Sequence, residues 1–309
     1  MKHLTSLLDL SPEDLFAILD QAAELKTLFK RGERPQLFPG RVLVQLFEKP
    51  SLRTRNSFEA AMIHLGGSGI FLTTAEAGLN GRESLADIAK VVSSFSDLIT
   101  MRTFSQKLIE DVAKYSSCPV INGLSDERHP CQALTDLMTI RESLGELRGK
   151  HIVFVGDGNN VSMSLAIATA MTGMKMTLAA PQGFEFTQEF TTLLTDRYPD
   201  HQVTVCTEPF EAVRNADVVY TDVWASMGQE DDAERRKAAF SGFQVNAKLM
   251  ATAPDTALFM HDLPAKRGLE VTDDVMDGPQ SLVFPQAENR MHLAKGLFVW
   301  LLNQAAMRA

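Results

Sequence analysis

Three cysteines in 309 residues, Cys118, Cys131 and Cys206, are too few, too scattered and odd in number to frame a disulfide-stapled secreted fold. Their scarcity points to a reduced, cytoplasmic protein. An excess of positive charge is also missing: 39 acidic against 30 basic residues leave a net charge of −9. That balance excludes nucleic acid and anionic membrane as main partners. No basic n-region precedes an apolar h-region, and no apolar run reaches the roughly 20 residues of a membrane span, so the chain reads as soluble and not exported. Internal repeats and low-complexity tracts are absent. His129 and His261 have neither paired ligand spacing nor a cysteine pair nearby, which argues against a metal centre. Gly156-x-Gly158 resembles the start of a dinucleotide fingerprint. Val161, however, stands where the third small residue belongs, and no acid clearly caps a second strand about 20 residues on. A nicotinamide-dependent enzyme is set aside on that ground.

With 45% apolar and 22% charged residues the chain can bury a sizeable core, and its length suits two domains better than one. Against the acidic background one basic stretch stands out, at 49–55. Residues 41–47 are apolar and β-branched enough for a short buried strand. Pro50 disfavours helix at Lys49 and permits it just afterwards, making Ser51 an N-cap. Phe58, Ala61, Met62 and Leu65 then mark one helical face, and Gly66-Gly67 ends it. A helix start carrying Arg53, Arg55, two hydroxyls and backbone amides suits a small anion such as a phosphate. The plainer alternative is a cap with solvated arginines.

The rest of the chain alternates strand and helix, which predicts an α/β fold: two domains, each a mostly parallel sheet flanked by helices. Strands are expected at 69–73, 98–102 and 119–122, and His129-Pro-Cys-Gln132 opens a long helix, 133–144, bridging the domains. The second half offers strands at 151–155, 176–180, 203–206, 218–221 and 258–260, and a terminal helix at 286–306. Polar clusters follow six of these strands: 51–55, Arg102, 129–132, Asn159-Asn160, 222–227 and 261–264. Ligands of parallel sheets gather at such carboxyl ends. Singly, His129 could be a turn histidine, Asp222 a helix cap, and Arg290 a surface partner of Glu288 or Asp277.

The sequence resembles the aspartate/ornithine carbamoyltransferase family over essentially its whole length. The matching motifs are Ser51-Leu-Arg-Thr-Arg55, Met101-Arg-Thr-Phe104, His129-Pro-Cys-Gln132, Gly156-Asp-Gly-Asn-Asn160, Asp222-Val-Trp-Ala-Ser-Met-Gly228 and Glu288-Asn-Arg290. The Asp-x-x-x-Ser-Met-Gly loop is the element that marks its ornithine-using members. The resemblance implies a carbamoyl phosphate-binding domain at 1–135, an amino-acid-binding domain at 136–285, and a C-terminal helix, about 286–309, returning to the first. By it, Ser51, the Leu52 amide, Arg53 and Thr54 would bind the phosphate, with Arg102 bridging toward the carbamoyl group. His129, Gln132, Arg290 and the Leu263 carbonyl would hold that carbamoyl group. Asn160, Asp222, Ser226 and Met227 would bind the amino-acid head of ornithine. The family needs no metal or organic cofactor, assembles as a trimer, and closes its domains around the two substrates.

Two departures touch the reaction centre. Asp262 stands where ornithine-using members usually carry cysteine, and an ionised carboxylate there needs a compensating cation, such as the substrate's ammonium or Lys266. Gly78 stands where many relatives place a glutamine that reaches a neighbouring subunit, with Asn80 a possible substitute. The leading expectation is carbamoyl transfer from carbamoyl phosphate to L-ornithine, giving citrulline and phosphate. Transfer to another amine, or a catalytically weak binding or regulatory relative, are the alternatives.

Overall fold

The strand–helix alternation becomes two parallel sheets in the computed structural model, which describes residues 2–79, 81, 83–225 and 232–306. The chain divides into two compact units, Met1–Met138 with Glu288–Ala309, and Thr139–Ala287.

The first unit runs α1 (Pro12–Lys30), β1 (Val42–Phe47), α2 (Leu52–His64), β2 (Ser68–Thr73), α3 (Leu85–Ser94), β3 (Leu98–Arg102), α4 (Gln106–Tyr115), β4 (Val120–Leu124) and into α5 (Pro130–Leu144). Its strands lie in the order β2-β1-β3-β4, all parallel. Covering helices bury both faces of β1 and β3, which is why those strands read as nearly unbroken apolar runs. Val44, Leu46, Ile99, Met101, Ile109 and Val112 form one core cluster. The edge strand β2 is only partly covered, and Ile70 is exposed.

Two helices start three residues earlier than the sequence reading placed them. Proline at a helix start has no intrahelical bond to lose and a backbone angle already suited to the helix. Pro130 therefore opens α5, placing Cys131 and Gln132 in its first turn, and Pro285 is taken into the first turn of α12 (Val283–Ala306). The later part of α12 belongs to the first unit. A Cβ on Gly296 would stand 2.6 Å from the Ala22 nitrogen of α1, so only glycine permits this approach. Two residues on, Phe298 meets Phe58 of α2 edge to face, with ring centroids 5.6 Å apart.

The second unit contains β5 (His151–Val155), α6 (Asn160–Thr172), β6 (Lys175–Ala179), α7 (Gln188–Arg197), β7 (Gln202–Cys206), α8 (Pro209–Ala212), β8 (Val218–Thr221), α9 (Ala233–Ala239), α10 (Ala247–Met250), β9 (Leu258–His261) and α11 (Asp273–Met276). Its parallel order is β7-β6-β5-β8-β9, over a core that includes Val153, Val155, Val219, Phe240 and Phe259. The glycine pair after β5 has a packing cause rather than a nucleotide one. A Cβ on Gly158 would come within 2.7 Å of the Glu185 carbonyl, and Val161 is buried in α6.

In each sheet the strand order reverses beside the first strand of that unit, between β1 and β3 and between β5 and β8. Diverging connections leave a crevice at the carboxyl end of such a switch point. The loops opening there carry Ser51 and Arg102 in the first unit, and Asn159 and Asp222 in the second.

Candidate functional site

In the first unit the chain leaves β1 through Glu48-Lys49-Pro50. Lys49 is buried, its Nζ 2.5 Å from Asp126 and 3.9 Å from the Phe104 ring centroid. Ser51 takes an extended conformation and its Oγ accepts the Thr54 N–H at 3.2 Å, capping α2 as the sequence predicts. The 13-residue helix thus points its positive end and first-turn amides into the switch-point crevice.

Behind that helix start lies a chain of buried hydrogen bonds. Thr54 is buried, and its Oγ1 accepts from Arg290 Nη2 at 2.8 Å and from Arg102 Nη1 at 3.4 Å. Arg290 Nη1 donates to Gln132 Oε1, and Gln132 Nε2 donates to Asp136 Oδ1 at 2.8 Å. His129, just before α5, is buried as well. Burial holds its imidazole well below the ordinary histidine pKa, and the Arg290 and Arg102 charges push it further down. The ring is therefore neutral at physiological pH, beside two permanent cations.

Thr54, Arg102, Gln132 and Arg290 are thus joined by hydrogen bonds, His129 lies within reach of both arginine charges, and Ser51 caps the helix whose first turn carries Leu52 and Arg53. Arg55 serves elsewhere. It pairs with Glu59 at 3.8 Å, lies 3.8 Å from the Phe71 ring, and lines a cleft of about 630 Å3 with Ser51 and Lys49. Arg102 and Arg290, both implied by the family resemblance, reach Thr54, and Arg290 pairs with neither Glu288 nor Asp277. Glu288 holds Lys30, and Asp277 holds Arg267.

In the second unit Asn159 caps α6, its Oδ1 accepting from Val161 N and Ser162 N, and its Nδ2 donates to Asp222 Oδ2 at 3.0 Å. That bond spans the switch point. Asn160 is the first residue of the helix. Asp222 is buried, and its other oxygen accepts the Val223 N–H at 2.7 Å. Burial raises its pKa well above the usual carboxylate range and Asp262 raises it further, against the opposing pull of His261. Ser226, Met227 and Asn80 lie outside the described residues. Gly78 has a φ of +73°, a left-handed conformation that a glutamine would adopt only with strain.

After β9 the fully buried His261 stands 3.5 Å from Asp262 and 3.3 Å from Glu270. Burial lowers its pKa, but the hydrogen bonds and charges of Asp262 and Glu270 outweigh that and the net direction is upward. The Leu263 N–H nevertheless donates to Nδ1 at 2.9 Å, which needs a lone pair there. That bond keeps the ring neutral, its one proton on Nε2 facing Glu270. Leu263 itself has a φ of +61°, a conformation costing a non-glycine residue about 1 kcal/mol or more. Asp222, His261 and Asp262 each bring one potential metal-ligand atom within 4.8 Å of the others. Sequence spacing gave no sign of this triad. A metal would have to displace the Leu263 hydrogen bond from Nδ1.

Several participants escaped the sequence reading. Asp136 was findable, lying four residues after Gln132 on the same helix face. Asn159 was expected in a strand-end polar cluster, but not its cap or its bond to Asp222. Arg236 carries no local signal, yet it donates to Asp157 at 2.7 Å and to the Trp224 carbonyl at 2.8 Å. Glu270, which holds the loop after β9, is equally silent in sequence.

Residues 2–142 match the family described as aspartate/ornithine carbamoyltransferase, carbamoyl-P binding domain, and residues 148–301 match aspartate/ornithine carbamoyltransferase, Asp/Orn binding domain. The chain belongs to the aspartate/ornithine carbamoyltransferase family. Ornithine carbamoyltransferase of Pyrococcus abyssi is 46% identical over 304 residues, covering 98% of this chain and 96% of that protein. The protein of Pyrococcus furiosus named ornithine carbamoyltransferase, anabolic, is 45% identical over 98% of this chain and 96% of its own. The solved Pyrococcus furiosus ornithine carbamoyltransferase superimposes with a TM-score of 0.94 at 45% identity, covering 98% of this chain and 97% of that one. As a carbamoyltransferase-family member the chain is an enzyme, and both units carry the family's parallel α/β architecture.

Proposed function

We propose that this carbamoyltransferase moves the carbamoyl group of carbamoyl phosphate to the side-chain amine of L-ornithine, giving L-citrulline and phosphate. The observation that carries the reading is the Thr54–Arg290–Gln132 chain behind the α2 start, with Arg102 and neutral His129 beside it. The phosphate is assigned to Ser51, the Leu52 amide, Arg53 and Thr54, and the carbamoyl group to Arg102, His129, Gln132 and Arg290.

The chemistry follows from those residue types. An unprotonated amine attacks the carbamoyl carbon, negative charge gathers on its oxygen, and phosphate leaves with the bonding pair. Two guanidiniums in a buried site stabilise that charge more than water would. A neutral His129 can donate one hydrogen bond without adding a charge of its own. None of these groups forms a covalent bond with the substrate. The amino-acid head is assigned to Asn160, Asp222, Ser226 and Met227, with the carboxylate of Asp222 for the α-ammonium.

We assign the citrulline-forming direction, by likeness to the relative named anabolic, and hence a place in arginine biosynthesis. A cytoplasmic location rests on three free cysteines. A homotrimer is the assembly we propose, supported by an edge strand with Ile70 exposed and by exposed Leu52 and Ile63 on α2. Sedimentation analysis giving a monomer would rule it out.

The deciding assay follows citrulline and phosphate from carbamoyl phosphate with ornithine, lysine, putrescine and acetylornithine in parallel. Ornithine is expected to give the highest kcat/KM. Faster turnover of another amine would reassign the acceptor, and no turnover of any would refute the reading.

A further inference from the structure

A second buried polar cluster lies beneath the loop between β4 and α5, the loop that carries His129. Its members are Gln106 at the start of α4, Asn122 in β4 and Ser125 just after that strand, all three buried. Gln106 Oε1 accepts from Ser125 Oγ at 2.7 Å and from Asn122 Nδ2 at 2.9 Å. Gln106 Nε2 donates to the Thr5 carbonyl at 3.2 Å and to Glu110 Oε1 at 3.0 Å. The amide can face only this way. Asn122 Nδ2 also donates to the Thr5 carbonyl, at 2.9 Å, so a reversed Gln106 would set two NH2 groups against each other.

Ser125 in turn closes the turn before His129. Its N–H donates to the Arg128 carbonyl at 2.9 Å, and its Oγ accepts the Arg128 N–H at 3.0 Å. The one hydroxyl proton goes to Gln106 at 2.7 Å rather than to the Arg128 carbonyl at 3.4 Å. Beyond the turn, the Asn122 carbonyl accepts from the Cys131 thiol at 3.4 Å. Both ends of the segment 125–131 are therefore tied to the cluster. His129 sits inside that segment, and Gln132 is the next residue after it.

We infer that Gln106 is a positioning residue for carbamoyl transfer: through Ser125 it sets the 125–128 turn, and so the place of the His129 ring. The inference rests on the proposed carbamoyl site and adds what holds that site in shape. Methionine matches glutamine in length but leaves Ser125 Oγ and Asn122 Nδ2 without their shared acceptor. Ser125 can then swing its proton to the Arg128 carbonyl, and the turn loses its single arrangement. Misplacing a reacting group by about 1 Å can cost about 10²-fold in rate, so kinetics read this more sharply than stability does.

Steady-state kinetics of Gln106→Met, Ser125→Ala and the double variant test this, with each substrate varied in turn. Gln106→Met is expected to lower kcat by about 10-fold or more and to raise KM for carbamoyl phosphate, with KM for ornithine within about twofold of native. Ser125→Ala should show the same pattern, and it carries the test alone if Gln106→Met folds poorly. The double variant should be no worse than the worse single one, because both act on one turn. A lowered urea midpoint with native kcat and KM would reduce the cluster to packing and overturn the inference. Losses that multiply in the double variant, or an equal rise of KM for both substrates, would overturn it as well. His129→Asn is the control on the site: native kinetics there would refute the carbamoyl assignment itself, and the inference with it.

Discussion

Arg290 reaches two side chains from distant parts of the chain, Thr54 of α2 and Gln132 of α5, using both arms of a planar fork. Lysine carries one compact ammonium and cannot serve both. Arg290→Lys is therefore expected to lower kcat by about 10²–10³-fold, the usual loss when one charge-stabilising donor is removed from an active site. The circular dichroism spectrum should stay native; steady-state kinetics read the loss. The cysteines allow a second prediction. Burial pushes the thiol of Cys118 up to about 11 and that of Cys131 up to about 12, whereas Cys206 is half-exposed. A thiol reagent at pH 8 should label Cys206 in the folded protein and all three after denaturation. Ser51, Arg102, His129 and Gln132 were legible in sequence because each stands in a local motif at a strand end. Arg290 was expected only through the family motif Glu288-Asn-Arg290; its two partners, and the diversion of Arg55 to Phe71 and Glu59, were not legible. Those depend on which elements tertiary packing brings together, and no local pattern records that.

Helices and strands followed from periodicity, caps and punctuation. Ser51 caps α2 as its sequence indicates, and the apolar run 151–155 is a fully paired central strand. The two misplaced helix starts share one cause: a proline read as a boundary can equally occupy the first turn. Strand order was not legible, since nothing local says that β1 lies between β2 and β3. Gly296 is the element-scale test of the packing described above. Gly296→Ala puts a methyl 2.6 Å from the Ala22 nitrogen, a backbone atom that can yield only by moving α1. Overpacking of that kind costs about 1–3 kcal/mol, against the slight gain in helix propensity alanine would otherwise bring. A lowered urea midpoint with an unchanged m-value is the expected result.

At the scale of the whole molecule, pH acts through groups whose burial outweighs the pull of any counter-charge, as for His292 despite Glu288 at 3.3 Å. Burial takes the His292 pKa down to about 4, with Lys295 adding to the effect. In the unfolded chain the ring returns to about 6.5. Between those values the unfolded state binds more protons, so this residue makes stability rise with pH from 4 to 6.5 and fall as the solution is acidified. Lys295, taken down to about 8 by burial, acts likewise between 8 and its unfolded value near 10.5. Replacing His292 by phenylalanine, in an edge contact with Phe29 that an aromatic ring preserves, should flatten the acid limb of the stability curve. Equal slopes for the two proteins between pH 4 and 6.5 would contradict the assignment.

The first unit is built from both ends of the chain, residues up to Met138 and those from Glu288 on. A ribosome delivers these pieces in order, so α1 and α2 emerge long before Leu293, Leu297 and Phe298 exist to cover them. The second unit, continuous in sequence, can complete its fold during that interval. The nascent chain therefore carries an unfinished first unit until residues 288–306 have been made, and any stall within that stretch strands an apolar surface where chaperones and proteases can find it.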